Sequence, residues 1–244
     1  MENLNKFYVG GRWVVPNSSQ TMSVLNPATE TQIGTITLGN EKDVNAAVVA
    51  ATKAFSHYSQ SSKAERLQLL KRLMTGTQER FEDLAQAMSS EMGAPISMAR
   101  DAHADAAVGH LQGFIDALEK LEERDILANG DVQVYEPIGV CGLITPWNWP
   151  MNQIALKVIP ALATGCTCVL KPSEHTPISA MIYAEIIHEA GYPAGVFNLI
   201  QGDGPTVGSA LSRHPDIQMM SFTGSTRAGT AATRDAAETG KRGT

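Results

Sequence analysis

Four compact apolar runs recur through the second half of the chain, at residues 140–145, 166–171, 196–201 and 217–222. Each run is followed by Pro or Gly and then by a segment with helical spacing. Strands that alternate with helices form parallel sheets with right-handed crossovers, and such sheets bind ligands beyond the carboxyl ends of their strands. The sequence therefore predicts an α/β fold with a parallel sheet, flanking helices and a site at one edge of the sheet.

The spacing of these runs also predicts where the sheet stops. The four runs start at roughly regular intervals, so a fifth strand is expected to begin near residue 240, whereas the sequence stops at Thr244. We therefore expect a sheet that is truncated before its last strand. An unpaired strand edge at that position would favour pairing with a strand of another chain.

The first half of the chain has a different pattern. Residues 7–9, 12–15, 23–25 and 33–36 predict short strands, with Gly10-Gly11 as a tight turn between the first two. From Asn40 to about Arg124 the spacing is helical, and Ser62 with Glu65 forms a capping box at a helix start. Gly93-Ala94-Pro95 ends the segment that begins there, before a further helix. We assign residues 1–130 to a β-arm and a helical part, and residues 131–244 to an incomplete set of βα units.

Composition and charge exclude several classes of protein. The chain has 19 Lys and Arg against 25 Asp and Glu, a formal net charge of -6, and no basic run is longer than Lys241-Arg242. Nucleic acid and anionic membranes need clustered basic side chains, so we expect neither as a partner. The uncharged stretch 138–156 does not predict a membrane span, because its prolines interrupt the backbone and its amide side chains would have no hydrogen-bond partners in lipid. Three cysteines and no apolar signal core favour a cytoplasmic protein.

Two glycine-containing loops follow predicted strands and precede predicted helices. Residues 222–229 place Gly224 and Ser225 at a strand-to-helix junction, where free N–H groups and the helix dipole suit a diphosphate. Residues 202–208 approach the dinucleotide fingerprint G-x-G-x-x-G, but Val207 occupies the third glycine position and Gly208 comes one residue late. A plain turn that starts a helix is the alternative for both loops.

Two further strand ends carry polar side chains. Lys171 and Glu174 can together hold the vicinal hydroxyls of a ribose, and the Glu174 carboxylate would repel a 2′-phosphate, which favours NAD over NADP. In residues 144–150, Asn148 lies among two tryptophans and two prolines, and rigid neighbours allow a carboxamide to donate a hydrogen bond to an oxyanion. The alternatives are a surface ion pair and a structural turn, respectively.

Together these motifs resemble the NAD(P)-dependent aldehyde dehydrogenase superfamily. The resemblance rests on residues 146–148, 171–174, 202–208 and 222–226 in that order, and on Asn26-Pro27-Ala28-Thr29 with the helices up to Arg124. It extends over essentially the whole chain. It implies the N-terminal, cofactor-binding portion of such an enzyme, with a Rossmann-like sheet.

The resemblance implies a role for each matching position. Asn148 would be the oxyanion-hole amide, which stabilises the charged oxygen that forms when a cysteine attacks the aldehyde. The cofactor NAD, or alternatively NADP, would contact Ile144, Thr145, Pro146 and Trp147 along the site, Lys171, Ser173 and Glu174 at the adenosine ribose, Gly204, Pro205 and Gly208 at the adenine, and Phe222, Thr223, Gly224 and Ser225 along the diphosphate and nicotinamide. No metal ligand is implied.

Two catalytic groups of the family have no counterpart in this sequence. Family members continue with a strand that carries a general-base glutamate and with a domain that carries the nucleophilic cysteine. Cys141, Cys166 and Cys168 lie in predicted buried strands, where a thiol is desolvated and inert. We therefore expect a family member that oxidises an aldehyde to a carboxylic acid with NAD(P)+, and no turnover by these 244 residues alone.

Other interpretations of the same residues are open. The expected partners are NAD and an aldehyde, with a homo-oligomer or a complementing fragment as further partners. The chain is alternatively a non-catalytic nucleotide-binding or interaction module, or a truncated, non-functional gene product. His103 and His110, near Asp101 and Asp105 on a predicted helix, are expected on a solvated face and not at a metal site.

Overall fold

The computed structural model describes residues 3–244, which form an α/β fold. Residues 1 and 2, which belong to the predicted N-terminal part, lie outside the described residues. The strands are β1 (Phe7–Val9), β2 (Arg12–Val14), β3 (Thr21–Asn26), β4 (Thr31–Thr37), β5 (Arg124–Ile126), β6 (Val132–Val134), β7 (Val140–Ile144), β8 (Thr167–Lys171), β9 (Phe197–Leu199), β10 (Met219–Phe222) and β11 (Arg242–Gly243). The helices are α1 (Glu41–Tyr58), α2 (Lys63–Glu79), α3 (Phe81–Met92), α4 (Ile96–Met98), α5 (Asp105–Lys120), α6 (Pro150–Ala163), α7 (Pro177–Glu189), α8 (Ser209–Arg213) and α9 (Thr226–Ala237), with π-helical turns at Ala99–Ala104 and Gly204–Gly208.

The predicted parallel sheet is present, with the strand order β11-β10-β7-β8-β9-β1-β2. The strands β7 to β11 pair with one another in parallel. The fifth parallel strand, expected near residue 240, begins at Arg242 and pairs with β10. The structure thus contains a fifth parallel strand of 2 residues, whereas we expected the sheet to stop before it.

The predicted N-terminal strands divide between two sheets. The hairpin β1-β2 joins the large sheet, because β1 pairs antiparallel with β9 through Tyr8 and Leu199. The hairpin β3-β4 forms a separate two-stranded sheet. Strands from both sides of residue 130 therefore share one sheet, and the division of the chain at that residue stays a prediction.

Two hydrophobic clusters cover opposite faces of the large sheet. Cys141 and Leu143 of β7 belong to a cluster with α2, α3, α5, α6 and α7, whereas Val140 and Ile144 belong to a cluster with α1 and α8. Every residue of β7 and β8 is buried, as is usual for parallel strands that have helices on both faces. Polar groups of these strands therefore meet solvent only beyond the strand ends.

The predicted helical segment begins as expected and is divided more finely. Ser62 and Glu65 form the predicted capping box at the start of α2. The continuous segment predicted from there to Gly93 is two helices, because the backbone leaves the helical conformation at Arg80. Gly93 ends α3 with a φ of 82°, and a Cβ there would lie 2.8 Å from Cγ of Pro27.

The hairpin β5-β6 was not predicted from the sequence. It pairs Arg124 with Val134 in an isolated two-stranded sheet, and all of its strand residues are exposed. Among the helices of residues 3–244, none combines the length and the apolar character that crossing a bilayer requires.

Candidate functional site

A pocket of about 870 Å³ lies beyond the carboxyl ends of β7, β8 and β10, where the sheet topology predicts a ligand site. Its size is typical of a small-molecule site. Every residue that we predicted as a site residue from the sequence lines this one pocket. These residues are Ile144, Thr145, Pro146, Trp147, Asn148, Lys171, Ser173, Glu174, Gly204, Pro205, Gly208, Phe222, Thr223, Gly224 and Ser225.

Lys171 organises the loops at the end of β8. Its buried Nζ donates hydrogen bonds to the carbonyl oxygens of Pro172 at 2.8 Å and Gly202 at 2.7 Å, and to Oε2 of Glu174 at 3.3 Å. Burial lowers the pKa of Lys171, and the carboxylates of Glu174 and Asp203 oppose this effect. Since an ammonium group has three protons, each proton of Lys171 has an acceptor within the protein. Lys171 therefore joins the β8 and β9 loops and fixes Glu174, whose side chain is 25% exposed.

The loop after β9 explains the late glycine of the fingerprint. The backbone N–H of Gly208 donates to the carbonyl oxygen of Asp203 at 3.1 Å, a five-residue spacing that defines a π-helical turn. This turn contains one residue more than an α-helical turn, so Gly208 reaches the pocket although it comes late in the sequence. Val207 points away from the pocket into the core, where a Cβ at Gly202 would lie 2.2 Å from its Cγ2.

The loop after β10 presents a helix N-terminus to the pocket. The Ser225 hydroxyl oxygen accepts a hydrogen bond from the backbone N–H of Ala228 at 3.3 Å and caps α9. A Cβ at Gly224 would lie 2.6 Å from Cζ of Phe222, so glycine is needed for the aromatic ring to pack against this loop. The remaining free N–H groups and the dipole of α9 favour a negatively charged ligand here.

The loop after β7 places an exposed amide beside the pocket. Thr145 is buried, and its hydroxyl has no hydrogen-bond partner among residues 3–244. Trp147 is 54% exposed, and Asn148 is also exposed. The following residue, Trp149, is half-buried and stacks on His103 with ring centroids 4.1 Å apart. Asn148 thus lies in the loop between the buried Thr145 and the stacked Trp149.

The two histidines of the first half do not share the solvated face that we expected. His103 is 1% exposed, so the prediction of a solvated position is wrong for this residue. The reason is the π-helical turn Ala99–Ala104, which places its ring against Trp149. Within residues 3–244, no group of three or more His, Cys, Asp or Glu side chains is arranged to hold a metal ion.

The pocket includes residues that the sequence analysis missed. Ala228, Ala231 and Ala232 follow the i, i+3, i+4 spacing of one helix face, so helical periodicity after Ser225 contains the signal for them. Arg213 lines the pocket from α8 and pairs with Asp235 of α9 at 2.6 Å, a contact with no signal in the sequence. The remaining missed residues are His175, Ser209 and Arg227.

The three cysteines lie at the other end of the strands. All are buried, as predicted, at or just before the amino ends of β7 and β8. Burial raises the pKa of Cys168, whereas the neighbouring Cys141 side chain lowers the pKa of Cys166 to about 6. Even so, Cys166 lies at the edge of the sheet opposite Asn148, so the three thiols and the amide do not form one site.

The lining of the pocket fits a dinucleotide. A Cβ at Gly204 would meet no heavy atom within 4 Å, so the backbone there borders open space that a flat ring can approach. The same pocket is lined by the N-terminus of α9, which suits phosphate groups, and by the Glu174 carboxylate, which suits hydroxyl groups.

Comparison with known proteins matches this geometry. The model of the aldehyde dehydrogenase family matches residues 13–244. A 3-succinoylsemialdehyde-pyridine dehydrogenase of Pseudomonas sp. is 49% identical over 99% of this chain and 51% of its own length. The chain spans about half the length of the curated relatives it matches.

Solved structures share the fold closely. A mutant of aldehyde dehydrogenase C from Pseudomonas syringae, in complex with NAD+ and octanal, is 47% identical with a TM-score of 0.97, over 99% of this chain and 50% of that one. Betaine aldehyde dehydrogenase from Staphylococcus aureus, in complex with NAD+, is 31% identical with a TM-score of 0.93, over 98% and 48% of the two chains.

Proposed function

Because the chain belongs to the aldehyde dehydrogenase family, we propose that its pocket binds NAD and that Asn148 serves the oxidation of an aldehyde to a carboxylic acid. The observation that carries this proposal is the convergence of four separate loops on one pocket, with Glu174 and Asn148 both in its lining. Bound NAD supplies an acceptor for the hydride of the aldehyde.

The ribose contact falls mainly to Glu174. All three protons of the Lys171 ammonium have acceptors within the protein, so this lysine supports the site and leaves the hydroxyl groups to the carboxylate. One oxygen of Glu174 accepts from Lys171, and the other is free to accept from vicinal hydroxyls. A 2′-phosphate would place negative charge beside this carboxylate, which favours NAD over NADP.

The rest of the cofactor follows from the walls of the pocket. The N-terminus of α9 with Ser225 suits the diphosphate. The adenine would contact Gly204, Pro205 and Gly208, and the small alanine side chains of α9 line the same pocket. The nicotinamide would lie toward Trp147, beside Asn148.

Asn148 is the group through which this chain takes part in the chemistry. Its exposed carboxamide donates a hydrogen bond to the aldehyde oxygen as negative charge develops on it. The relatives differ in the aldehyde that their names give, which is octanal in one complex and 3-succinoylsemialdehyde-pyridine in one enzyme. We therefore assign a substrate class, an aldehyde, and no single compound.

The 244 residues by themselves bind NAD without turning over an aldehyde. Each of the three thiols is buried at the edge of the sheet opposite Asn148, out of reach of an aldehyde in the pocket. The resemblance places the nucleophilic cysteine and the general-base glutamate in parts of the enzyme that these residues do not include.

Titration of the purified chain with NADH, followed by the fluorescence of the bound nucleotide, tests the proposal. We expect saturable binding that Glu174→Ala weakens at least about tenfold, as loss of a hydrogen bond to a charged group implies. Glu189→Ala, at the exposed end of α7, is the matched control and leaves the affinity unchanged. Equal affinities for the two variants would contradict the ribose assignment, and NADH formation from NAD+ and octanal would contradict the predicted inactivity.

A further inference from the structure

His103 is a buried histidine without a hydrogen bond. It lies in the π-helical turn Ala99–Ala104 and is 1% exposed. Neither of its ring nitrogens has a partner among residues 3–244. Burial lowers the pKa of His103, so the ring is neutral at neutral pH. Burying an unpaired polar group costs free energy, so a different contact has to account for the position of this ring.

That contact is a stack with Trp149. The two ring centroids are 4.1 Å apart with an interplanar angle of 24°. Trp149 precedes the first residue of α6 and has a non-helical backbone conformation, with φ of -143° and ψ of 66°. Packing between aromatic rings fixes both the distance and the tilt of a side chain. Since Trp149 directly follows Asn148, the ring of His103 sets where the amide-bearing loop ends.

A second histidine, His110, also contacts the start of α6. Nε2 of His110 and Oδ1 of Asn152 are 2.7 Å apart and share a hydrogen bond. His110 lies on α5, seven residues after His103 in sequence, which is nearly two helical turns along the same face. Asn152 lies in the first turn of α6. The start of α6 is therefore held at two points by one face of the preceding helical segment.

The opposite end of the loop has its own anchor. The backbone N–H of Thr145 donates to the carbonyl oxygen of Lys171 at 3.3 Å, and Thr145 is buried. Between Thr145 and Trp149, the residues Trp147 and Asn148 are exposed. The direction of the Asn148 side chain therefore depends on the two anchors, and His103 supplies the one at the α6 side.

We propose that His103 is a positioning residue that holds the Asn148 carboxamide in its orientation through the stacked ring of Trp149. The proposal deepens the proposed function, since it rests on the role of Asn148 at the aldehyde oxygen. The location in a π-helical turn agrees with it, because such turns occur frequently at functional sites. The contact requires a flat ring at position 103, but it does not require the ring nitrogens.

The requirement for a flat ring gives a test by substitution. His103→Leu fills a similar volume without a ring, whereas His103→Phe restores a ring without nitrogens. His57→Ala, at an exposed position of α1, is the matched control. Nitrogen-15 relaxation of the backbone and side-chain amides of Asn148 and the indole resonance of Trp149 are measured for each variant of the 244-residue chain.

In the wild-type chain, we expect an order parameter of about 0.85 for the backbone N–H bond of Asn148, and a fall below about 0.6 in His103→Leu. His103→Phe restores the wild-type order and the ring-current shift of the Trp149 indole, and His57→Ala leaves both unchanged. A folded His103→Leu variant with wild-type order at Asn148 would overturn the proposal. Failure of a folded His103→Phe variant to restore that order would overturn it as well.

The NADH titration of the same samples separates this proposal from the proposed function. If the wild-type chain does not bind NADH, the cofactor assignment fails, while the relaxation data still report whether His103 orders Asn148. If NADH binds and the order of Asn148 does not respond to His103→Leu, only the positioning role fails.

Discussion

The two ends of the parallel strands β7 and β8 have the same apolar interior between them and opposite surroundings. At the amino ends, three thiols are buried, and Arg66 binds the carbonyl oxygen of Ala163 at 2.8 Å. At the carboxyl ends, a pocket of about 870 Å³ is open to solvent between the loops. The buried strands therefore form the scaffold, and the loops after the strands supply the candidate chemistry. Substitutions at the two ends should therefore separate stability from nucleotide binding.

The largest expected effect is at the amino ends. Arg66 is 3% exposed, and Arg66→Ala removes its hydrogen bonds to Ala163 and Ser61 and its ion pair with Glu123. We expect the free energy of unfolding to fall by about 3 kcal/mol in chemical denaturation, because buried acceptors lose their donor. NADH affinity of the folded protein stays unchanged.

Lys71→Ala is the control for Arg66→Ala. The Lys71 ion pair with Glu119 is exposed, and its loss costs less than about 0.5 kcal/mol. Similar losses in the two variants, or a weaker NADH affinity in folded Arg66→Ala, would contradict the separation of stability at the amino ends from nucleotide binding at the carboxyl ends.

The next effect concerns a buried carboxylate that supports the carboxyl ends without lining the pocket. Glu91 of α3 accepts hydrogen bonds from Ser179 and Ile178 at the start of α7, and burial raises its pKa to about 7. The folded state thus binds the proton more tightly than the unfolded state, so stability falls as pH rises from about 4.5 toward about 7. The loss is on the order of 2 kcal/mol.

Denaturation of the wild type and Glu91→Gln across this pH range isolates the contribution of Glu91. The difference in unfolding free energy between the two proteins should change with pH between about 4.5 and 7, with the wild type losing stability relative to the variant as pH rises. A difference that is constant with pH would show that Glu91 does not titrate there.

Lys171→Met tests whether stability and binding are coupled at the carboxyl ends. The substitution leaves the carbonyl oxygens of Pro172 and Gly202 without a donor, so we expect a loss of about 1 to 2 kcal/mol. NADH affinity falls too, because Glu174 loses the partner that orients it. Lys53→Met, on the exposed side of α1, is the control. Unchanged NADH affinity in folded Lys171→Met would contradict the organising role of this lysine.

The sequence predicted the features that local chemistry determines. The capping box at Ser62 and the end of α3 at Gly93 depend on neighbouring residues only, and both appear in the structure. The parallel sheet follows from the recurring apolar runs. The nominated site residues meet in one pocket because parallel strands bring their carboxyl ends to the same edge.

The features that the sequence did not predict depend on tertiary contacts. The place of β1 beside β9 is decided by pairing between residues far apart in the chain. The burial of His103 requires the π-helical turn and the ring of Trp149, and neither has a periodic signal. The pair of Arg213 and Asp235 forms only when α8 and α9 pack together.

The smallest expected effect distinguishes two caps of the same kind. Ser225→Ala and Ser62→Ala each remove a serine N-cap, and each should lower stability by about 1 kcal/mol. Only Ser225 lines the pocket, so only Ser225→Ala should weaken NADH binding, by about three- to tenfold. Equal NADH affinities in these two variants would contradict the assignment of the diphosphate to the N-terminus of α9.

A calorimetric titration of NAD into the wild-type 244-residue chain, on a sample shown to be monodisperse, tests whether the pocket binds the nucleotide. The pocket at the carboxyl ends predicts saturable binding of one NAD per chain, with weaker binding of NADP. A folded, monodisperse chain that gives no saturable heat with NAD would contradict the assignment of this pocket as a nucleotide site.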